Sequence, residues 1–584
     1  MEMQENAEIW LPDRGNSLTS GFMSCILMLF VSDKTSLPLS CGYGSAVVSV
    51  RSTAGWAEAF CVEDGKFTFV GSEKEARKAA GSEAICVDMG GKTVLPGFID
   101  SHIHALQGAE ELLFKVNLAS AQSKEDCLDA IRRFYEEHPD ADFIEGAGWI
   151  NTYFDDIGPR KEWLDEIAAD IPVVLDSGDH HSIWANSKAI EMAGVTKETL
   201  IDGGVLELEP DTGELAGTFR ENAQAPFHAI KPVYSVEKVK EAVAYLEGFL
   251  GRLGITMIHD PMVELDSNEL EAYKEMDREG NLRVKIRGSL MTRPETIDEL
   301  RDRYVPEREE CNRGGHFEIT SVKILVDGVV EGATAFLKDP YNHRPDYHGE
   351  PVWSEEQLKE HFKWAEANGF QTHSHVIGDA AVDRMITALE YSSAENGSPN
   401  IRPIGVHMQI VDRADYVRLK KLGMIASTNP YWFGKEKGYF YGLEEPYLGA
   451  DRAEHEYPMK SLRDEAGLVL AAGSDFPVTF PPAPLIGIQM GVTRCDFRDD
   501  TSDPEAVLNR DESVTVEDMI KAFTINNACV DFAEDITGSI TPGKYADFVV
   551  LERDIFQVPP DEICRIPVAM TVSEGNVIYD ASVD

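Results

Sequence analysis

Positive charge is scarce in this chain. Against 102 aspartates and glutamates stand 54 lysines and arginines, a formal net charge of −48 over 584 residues. A polyanion approaching such a surface meets a repulsive field, so nucleic acid is not an expected partner. Cysteine offers no scaffold: nine residues, at 25, 41, 61, 86, 127, 311, 495, 529 and 564, are odd in number and contain no CxxC pair. That argues against a disulfide framework or a thiolate zinc site and fits a reducing cytoplasm. Long apolar runs are also missing. Phe22 to Val31 is the one run worth testing as a targeting segment, but Glu2, Glu5, Glu8 and Asp13 precede it where a signal peptide needs positive charge. It is too short to span a bilayer, and no membrane partner is expected. Internal repeats, low-complexity tracts and a glycine-rich phosphate loop are absent as well.

What is present is a balance of 43% hydrophobic and 27% charged residues, that of a globular enzyme with a large core. The length exceeds what one core usually carries, so two or three structural units are expected. Residues 1–45 receive no assignment. Ala57 to Val62, the turn Glu63-Asp-Gly-Lys and Phe67 to Gly71 read as a hairpin. Near the other end, Gly538 to Leu551 and Pro567 to Tyr579 repeat that short-strand texture, which predicts one β-sandwich built from 46–95 and 530–584. Between them, over 96–529, apolar stretches such as Ile171 to Leu175, Ser321 to Val326, Gly423 to Ser427 and Gly467 to Ala472 alternate with helical segments such as Ser354 to Asn368 and Ala380 to Tyr391. This is the rhythm of a parallel α/β architecture.

In such a barrel, polar residues where strands end carry the chemistry. The strongest string is Val94-Leu-Pro-Gly-Phe-Ile-Asp-Ser-His-Ile-His: an apolar strand that ends in His102 and His104, two residues apart and so on one face. Two imidazoles there can share one metal. His375 in Thr372-His-Ser-His-Val-Ile-Gly-Asp, His407 in Pro403-Ile-Gly-Val-His and Asp475 in Ala471-Ala-Gly-Ser-Asp also follow apolar strands. Imidazole nitrogen and carboxylate oxygen are the donors that zinc and similar divalent ions accept. Taken singly, each of these histidines reads more readily as a hydrogen-bonded core residue than as a ligand. Their shared place at strand ends favours ligation. His373 faces the same way as His375, and spacing alone leaves both open; His375 is favoured because it directly precedes the Val-Ile-Gly-Asp turn.

With these strings the chain resembles the amidohydrolase superfamily, and within it the N-substituted formamide deformylase-like branch, of amidohydrolase family 3 type. The resemblance runs from about residue 55 to the C-terminus and includes Asp179-His-His-Ser-Ile-Trp-Ala-Asn, Gly213-Glu-Leu-Ala-Gly-Thr-Phe-Arg-Glu-Asn, Val322-Lys-Ile-Leu-Val-Asp-Gly, His375-Val-Ile-Gly-Asp-Ala-Ala and Gly473-Ser-Asp-Phe-Pro-Val. It implies a (β/α)8 TIM-type barrel whose site holds His102 and His104 after strand one, Lys323 after strand four, His375 after strand five, His407 after strand six and Asp475 after strand eight. It further implies a long insert between strands one and four, about 110–230, that covers the mouth and shapes the substrate pocket. His181 takes the substrate-facing role by its spacing to Asn186, with Arg220 and Trp149 as further substrate-binding candidates. The sequence departs from the pattern at His180, at Gly405-Val406 before His407, and after Asp327-Gly328.

The expected activity is therefore hydrolysis of a C–N bond, amide or N-substituted formamide, by metal-activated water, with Asp475 as proton shuttle. The expected cofactor is a divalent metal, zinc foremost, as one or two ions per chain. Lys323, costly to bury as an unpaired ammonium, is a candidate for carboxylation by carbon dioxide. A deaminase or cyclic-imide hydrolase on the same barrel is the enzymatic alternative, and a non-catalytic scaffold is the alternative of another class. The expected partner is a small-molecule substrate, with a homodimer as the oligomeric expectation.

Overall fold

The computed structural model describes residues 56–583 apart from 82–83, 119–120, 151–152, 179–181, 202–203 and 398–399, together with two short strands at Ile26–Leu29 and Val47–Val48. Its centre is a sheet of eight parallel strands, numbered here β1 (Phe98–Asp100), β2 (Ile255–Val263), β3 (Lys285–Met291), β4 (Phe317–Leu325), β5 (Gln371–Val376), β6 (Ile404–His407), β7 (Ile425–Thr428) and β8 (Val469–Ala472). Each strand pairs with the next in chain order, the arrangement of a TIM-type barrel. Helices between the strands have ordinary local causes. The helix Glu355–Ala367, for example, starts at a capping box in which Ser354 and Gln357 satisfy each other's backbone N–H groups.

No regular ladder joins β8 to β1. A side chain bridges the gap: the Asn527 amide donates to the carbonyls of both Ile99 (β1) and Ala472 (β8) and accepts from the Ala472 N–H at 3.0 Å. Above it, Ser101 N donates to Ala472 O and Asp475 N to His102 O, at 3.2 and 2.8 Å. The barrel is thus almost closed, with an amide from the helix Ile525–Val530 in its seam.

The chain between β1 and β2 forms a unit of its own. Lys115–Asn117, Ile144–Trp149 and Val173–Ser177 pair in parallel, and Ser182–Ala185, Leu215–Glu221 and Gly204–Leu208 extend the sheet antiparallel. The span between strands one and four therefore divides into this insert and two barrel strands, and Ile171 to Leu175, read alongside barrel strands, belongs to the insert sheet.

Two further sheets pack on each other around Phe60, Phe67, Val94, Phe548 and Val572. One holds Lys66–Gly71, Ala59–Glu63, Ile26–Leu29 and Ile85–Asp88; the other holds Asn576–Asp580, Val568–Ser573, Phe548–Leu551, Thr93–Pro96, Val47–Val48 and Trp56–Ala57. The hairpin at Asp64-Gly65 turns with φ of 51° and 73°, the two positive values that a tight two-residue connection between twisted strands requires. Ile26–Leu29, from the stretch without an assignment, adds a strand to the first sheet. The seven cysteines among the described residues form no disulfide. Among the described residues, no helix is long and apolar enough to cross a membrane.

Candidate metal centre

The strand register assembles the centre. Lys323 on β4 lies opposite His373 on β5, Leu325 opposite His375, and Val376 opposite His407 on β6. At the other side, β1 and β8 are clamped by the buried Asp100 carboxylate, whose Oδ1 accepts the N–H of His102 at 3.0 Å and that of Ser474 at 3.1 Å. This fixes the backbone next to His102 and Asp475 together.

The six residues expected at the mouth are brought into one group. Asp475 Oδ1 lies 3.2 Å from His102 Nε2 and 3.1 Å from His104 Nε2. Lys323 Nζ is 3.4 Å from the same His102 nitrogen. The His407 ring centre is 5.2 Å from that of His102 and 4.5 Å from that of His375. Donor atoms, one each from His102, His407 and Asp475, lie within 4.8 Å of one another. His102, His407, Asp475 and Lys323 are buried.

Hydrogen bonds show which nitrogens remain available. The Gly328 carbonyl can only accept, so His375 Nε2, 3.1 Å away, carries the proton and Nδ1 keeps its lone pair. Asn429 donates through Nδ2 to Gly473 O at 3.1 Å, which turns its Oδ1 toward His407 Nδ1 at 2.7 Å and leaves His407 Nε2 as the free donor. Asp475 Oδ1 makes no hydrogen bond despite its two close nitrogens. A buried carboxylate oxygen and imidazole nitrogens that converge out of hydrogen-bond alignment are the donor types of a divalent cation, and the residues fit such an ion.

Electrostatics follow from burial. Burial and the Lys323 ammonium push His102 well below the usual imidazole range. Burial and His407 do the same to His375, and burial takes His407 down to about 4. Burial opposes the Asp475 charge, yet His102, His104 and His407 hold it well below the usual carboxylate range. Burial lowers Lys323 to about 7 against the pull of Asp475 and Asp260. His102, His375 and His407 are thus neutral imidazoles beside one carboxylate.

Two of the substrate-binding candidates, Trp149 and Arg220, lie on strands of the insert. Trp149 is fully buried in the core of the insert, where its indole N–H donates to Leu175 O at 2.9 Å, so it serves packing and presents no face to a ligand. Arg220 donates to Glu207 at 2.7 Å and to Ser182 Oγ at 3.3 Å within the insert. His181, with Asp179 and His180, falls outside the described residues. Asp379 is the first residue of its helix and not the cap, which is Gly378; its carboxylate accepts the Lys338 and Ala380 N–H groups at 2.8 and 3.0 Å.

Sequence reading missed three neighbours. Asn429 orients His407; Asp327 accepts from Ile377, Gly378 and Phe336 and so pins the turn after His375; and His259, on β2, sits beneath the site. The signal for His259 was an imidazole deep in the apolar run Ile255-Thr-Met-Ile-His, with no obvious partner nearby in sequence.

A model described as Amidohydrolase family matches residues 86–579. Among similar proteins, YtcJ of Bacillus subtilis (strain 168) is 28% identical over 546 residues, which cover 92% of this chain and 99% of that one. The N-substituted formamide deformylase of Arthrobacter pascens is 26% identical over 556 residues, 91% of this chain and 97% of that one. Among solved structures, a metal-dependent hydrolase from Pyrococcus furiosus superposes with a TM-score of 0.70 at 24% identity, covering 91% of this chain and 99% of that one. With a barrel of this topology, a histidine and aspartate cluster at its C-terminal mouth and a family match over most of its length, the chain belongs to the amidohydrolase family.

Proposed function

We propose that this chain is a metal-dependent hydrolase that cleaves the C–N bond of small N-acyl or N-formyl compounds, releasing an amine and a carboxylate. The observation that carries the reading is the Asp475 oxygen, 3.1 to 3.2 Å from two imidazole nitrogens without a hydrogen bond to either. His102, His104, His375, His407 and Asp475 would hold the ion, zinc being the best match to this donor set, with Lys323 beside it. A divalent ion in this place supplies Lewis acidity toward a carbonyl and a water molecule. Asp475 then accepts the proton of the attacking water and returns it to the leaving nitrogen.

Support for the substrate class comes from the rim. Trp432 stacks on His407, ring centres 5.3 Å apart and planes 13° apart, and donates to Thr479 Oγ1 at 3.0 Å. The loop that carries Thr479 follows Asp475 directly and exposes Val478 and Phe480. An apolar lip beside the proton shuttle suits an apolar substituent on the leaving nitrogen. The similarity to a deformylase of N-substituted formamides agrees with this. Arg220, engaged with Glu207, lends no support to a carboxylate-bearing substrate.

The test is a panel of N-benzylformamide, N-acyl amino acids, dihydropyrimidines and aminopyrimidines, assayed separately for free amine and for ammonia. Amine release from the formamide or the N-acyl compounds is expected. Turnover confined to the aminopyrimidines, with ammonia as product, overturns the reading in favour of a deaminase.

A further inference from the structure

Beneath the site, the barrel interior is filled by a polar column where such barrels usually place branched aliphatic side chains. His373 Nε2 lies 2.7 Å from His102 Nδ1, with the two rings stacked at 4.9 Å. The His259 ring sits 4.5 Å from the His373 ring. His259 is held at both nitrogens, by Asp531 Oδ1 at 2.6 Å and by Ser289 Oγ at 2.7 Å, and Ser289 is bonded to Ser321 at 2.6 Å. His102, His373, His259, Ser289 and Ser321 are all buried.

From this geometry we infer that His373 is a positioning residue that fixes the tautomer of His102, and is not itself a metal ligand. The inference rests on the metal-centre reading above. Valence decides the direction of the bond. His102 Nε2 faces Asp475 and Lys323, and to serve as a donor to a cation it must keep its lone pair. The proton of His102 is then on Nδ1 and is donated to His373 Nε2, which must accept. That nitrogen has its lone pair consumed in the bond, and in the neutral ring the proton is then on Nδ1, which is buried without a partner. His373 therefore sits in the layer below the ligands, while His375, two residues on, presents its free Nδ1 in the layer of His407. The His259 ring, locked by Asp531 and Ser289, blocks retreat of His373 and holds it against His102. Partners of this kind raise ligand basicity and set ring orientation, and their loss typically lowers metal affinity 10- to 100-fold, about the cost expected here.

The experiment measures zinc content and zinc affinity, by elemental analysis and chelator competition, for the full-length protein and for His373→Phe, His373→Gln and His375→Asn. His373→Phe keeps the ring and removes the acceptor; its zinc affinity is expected to fall about 10- to 100-fold at full stoichiometry. His373→Gln restores an acceptor and is expected to recover most of that loss. His375→Asn is expected to lose stoichiometry. Wild-type affinity in a folded His373→Phe protein overturns the inference, and so does loss of bound zinc in His373→Gln equal to that in His375→Asn. Should His373→Phe fail to fold, a zinc-loaded crystal of the unaltered protein decides: His373 Nε2 beyond 3 Å from the ion is expected on the order of normal non-bonded separation, and zinc–nitrogen bonding near 2.1 Å overturns it. An unaltered protein that binds no zinc or other divalent ion strikes the metal-centre reading instead, so the two failures are distinguishable.

Discussion

The Lys323 amine lies 3.4 Å from His102 Nε2, at the point where β1 and β4 approach across the barrel mouth. Two groups that are both cationic when protonated do not share a buried site in that form, and burial lowers Lys323 to about 7. A neutral amine adds carbon dioxide, forming an N–C bond and releasing one proton, and the resulting carbamate is an anion that two metal ions can neutralise. We expect labelled bicarbonate to give a carbamate carbon signal that Lys323→Ala abolishes together with a second equivalent of metal, and turnover to fall at least about 100-fold. Unmodified amine density in a fully metallated crystal contradicts this.

Chelation should abolish turnover, and zinc or manganese should restore it. Asp475→Asn keeps the size of the side chain and removes its basicity, so kcat should fall on the order of 10²- to 10⁴-fold. Near-normal turnover in that variant removes Asp475 as the proton shuttle.

The acid limb of stability should depend on the face that joins barrel to sandwich. Lys285, at the start of β3, pairs with Asp547 and Glu574, each at 3.1 Å, and His316 Nε2 lies 3.2 Å from Glu574. Burial opposes the Glu574 charge, but His316 and Lys285 bring it down to about 2. A carboxylate depressed on folding contributes stability that is present above its unfolded value, about 4.3, and is lost as the pH falls toward 2. Glu574→Gln should therefore cost about 1–3 kcal/mol at neutral pH and much less near pH 2. Equal losses at both pH values, measured by urea unfolding, contradict the assignment. His316 works in the opposite sense: raised chiefly by its hydrogen bond to Glu574, it adds stability below about 6.5 that is lost as the pH climbs through its raised value.

Asn527→Ala should destabilise the barrel by about 2–5 kcal/mol, since it removes the side-chain partner of the buried Ile99 carbonyl and Ala472 N–H, while the Ala472 carbonyl keeps only Ser101 N. A loss under about 1 kcal/mol on denaturant titration indicates that the seam relaxes into direct strand pairing.

The parts legible in the sequence were those with a short-range signature. His102 and His104 declare themselves because period-two alternation carries an apolar strand straight into them, and the Asp64-Gly65 turn because its two residues tolerate positive φ. His375, His407 and Asp475 are readable as strand ends and Lys323 only through the family resemblance, and their convergence depends on register across the sheet, which no local string contains. Trp149 is ambiguous for the same reason: an aromatic at a strand end looks alike whether it lines a pocket or fills a core, and only the packing of the insert, which buries it, separates the two. β2 and β3 carry no motif, and the partners of His259 come from residues 289 and 531, so sequence proximity could not reveal them.

The side chain that bridges β8 and β1 also bears on how the protein is made. Asn527 lies beyond all eight barrel strands, and Thr93–Pro96, just before β1, pairs with Phe548–Leu551. During synthesis every proposed ligand is delivered by residue 475, together with the contacts of Asp100, Ser101 and His102 to residues 472–475, while Asn527 and the partner of the strand preceding β1 are still untranslated. A chain that ends before residue 527 therefore keeps those contacts but has neither the Asn527 bridge nor the paired strand behind β1, and should hold His102 against Asp475 less firmly than the full chain.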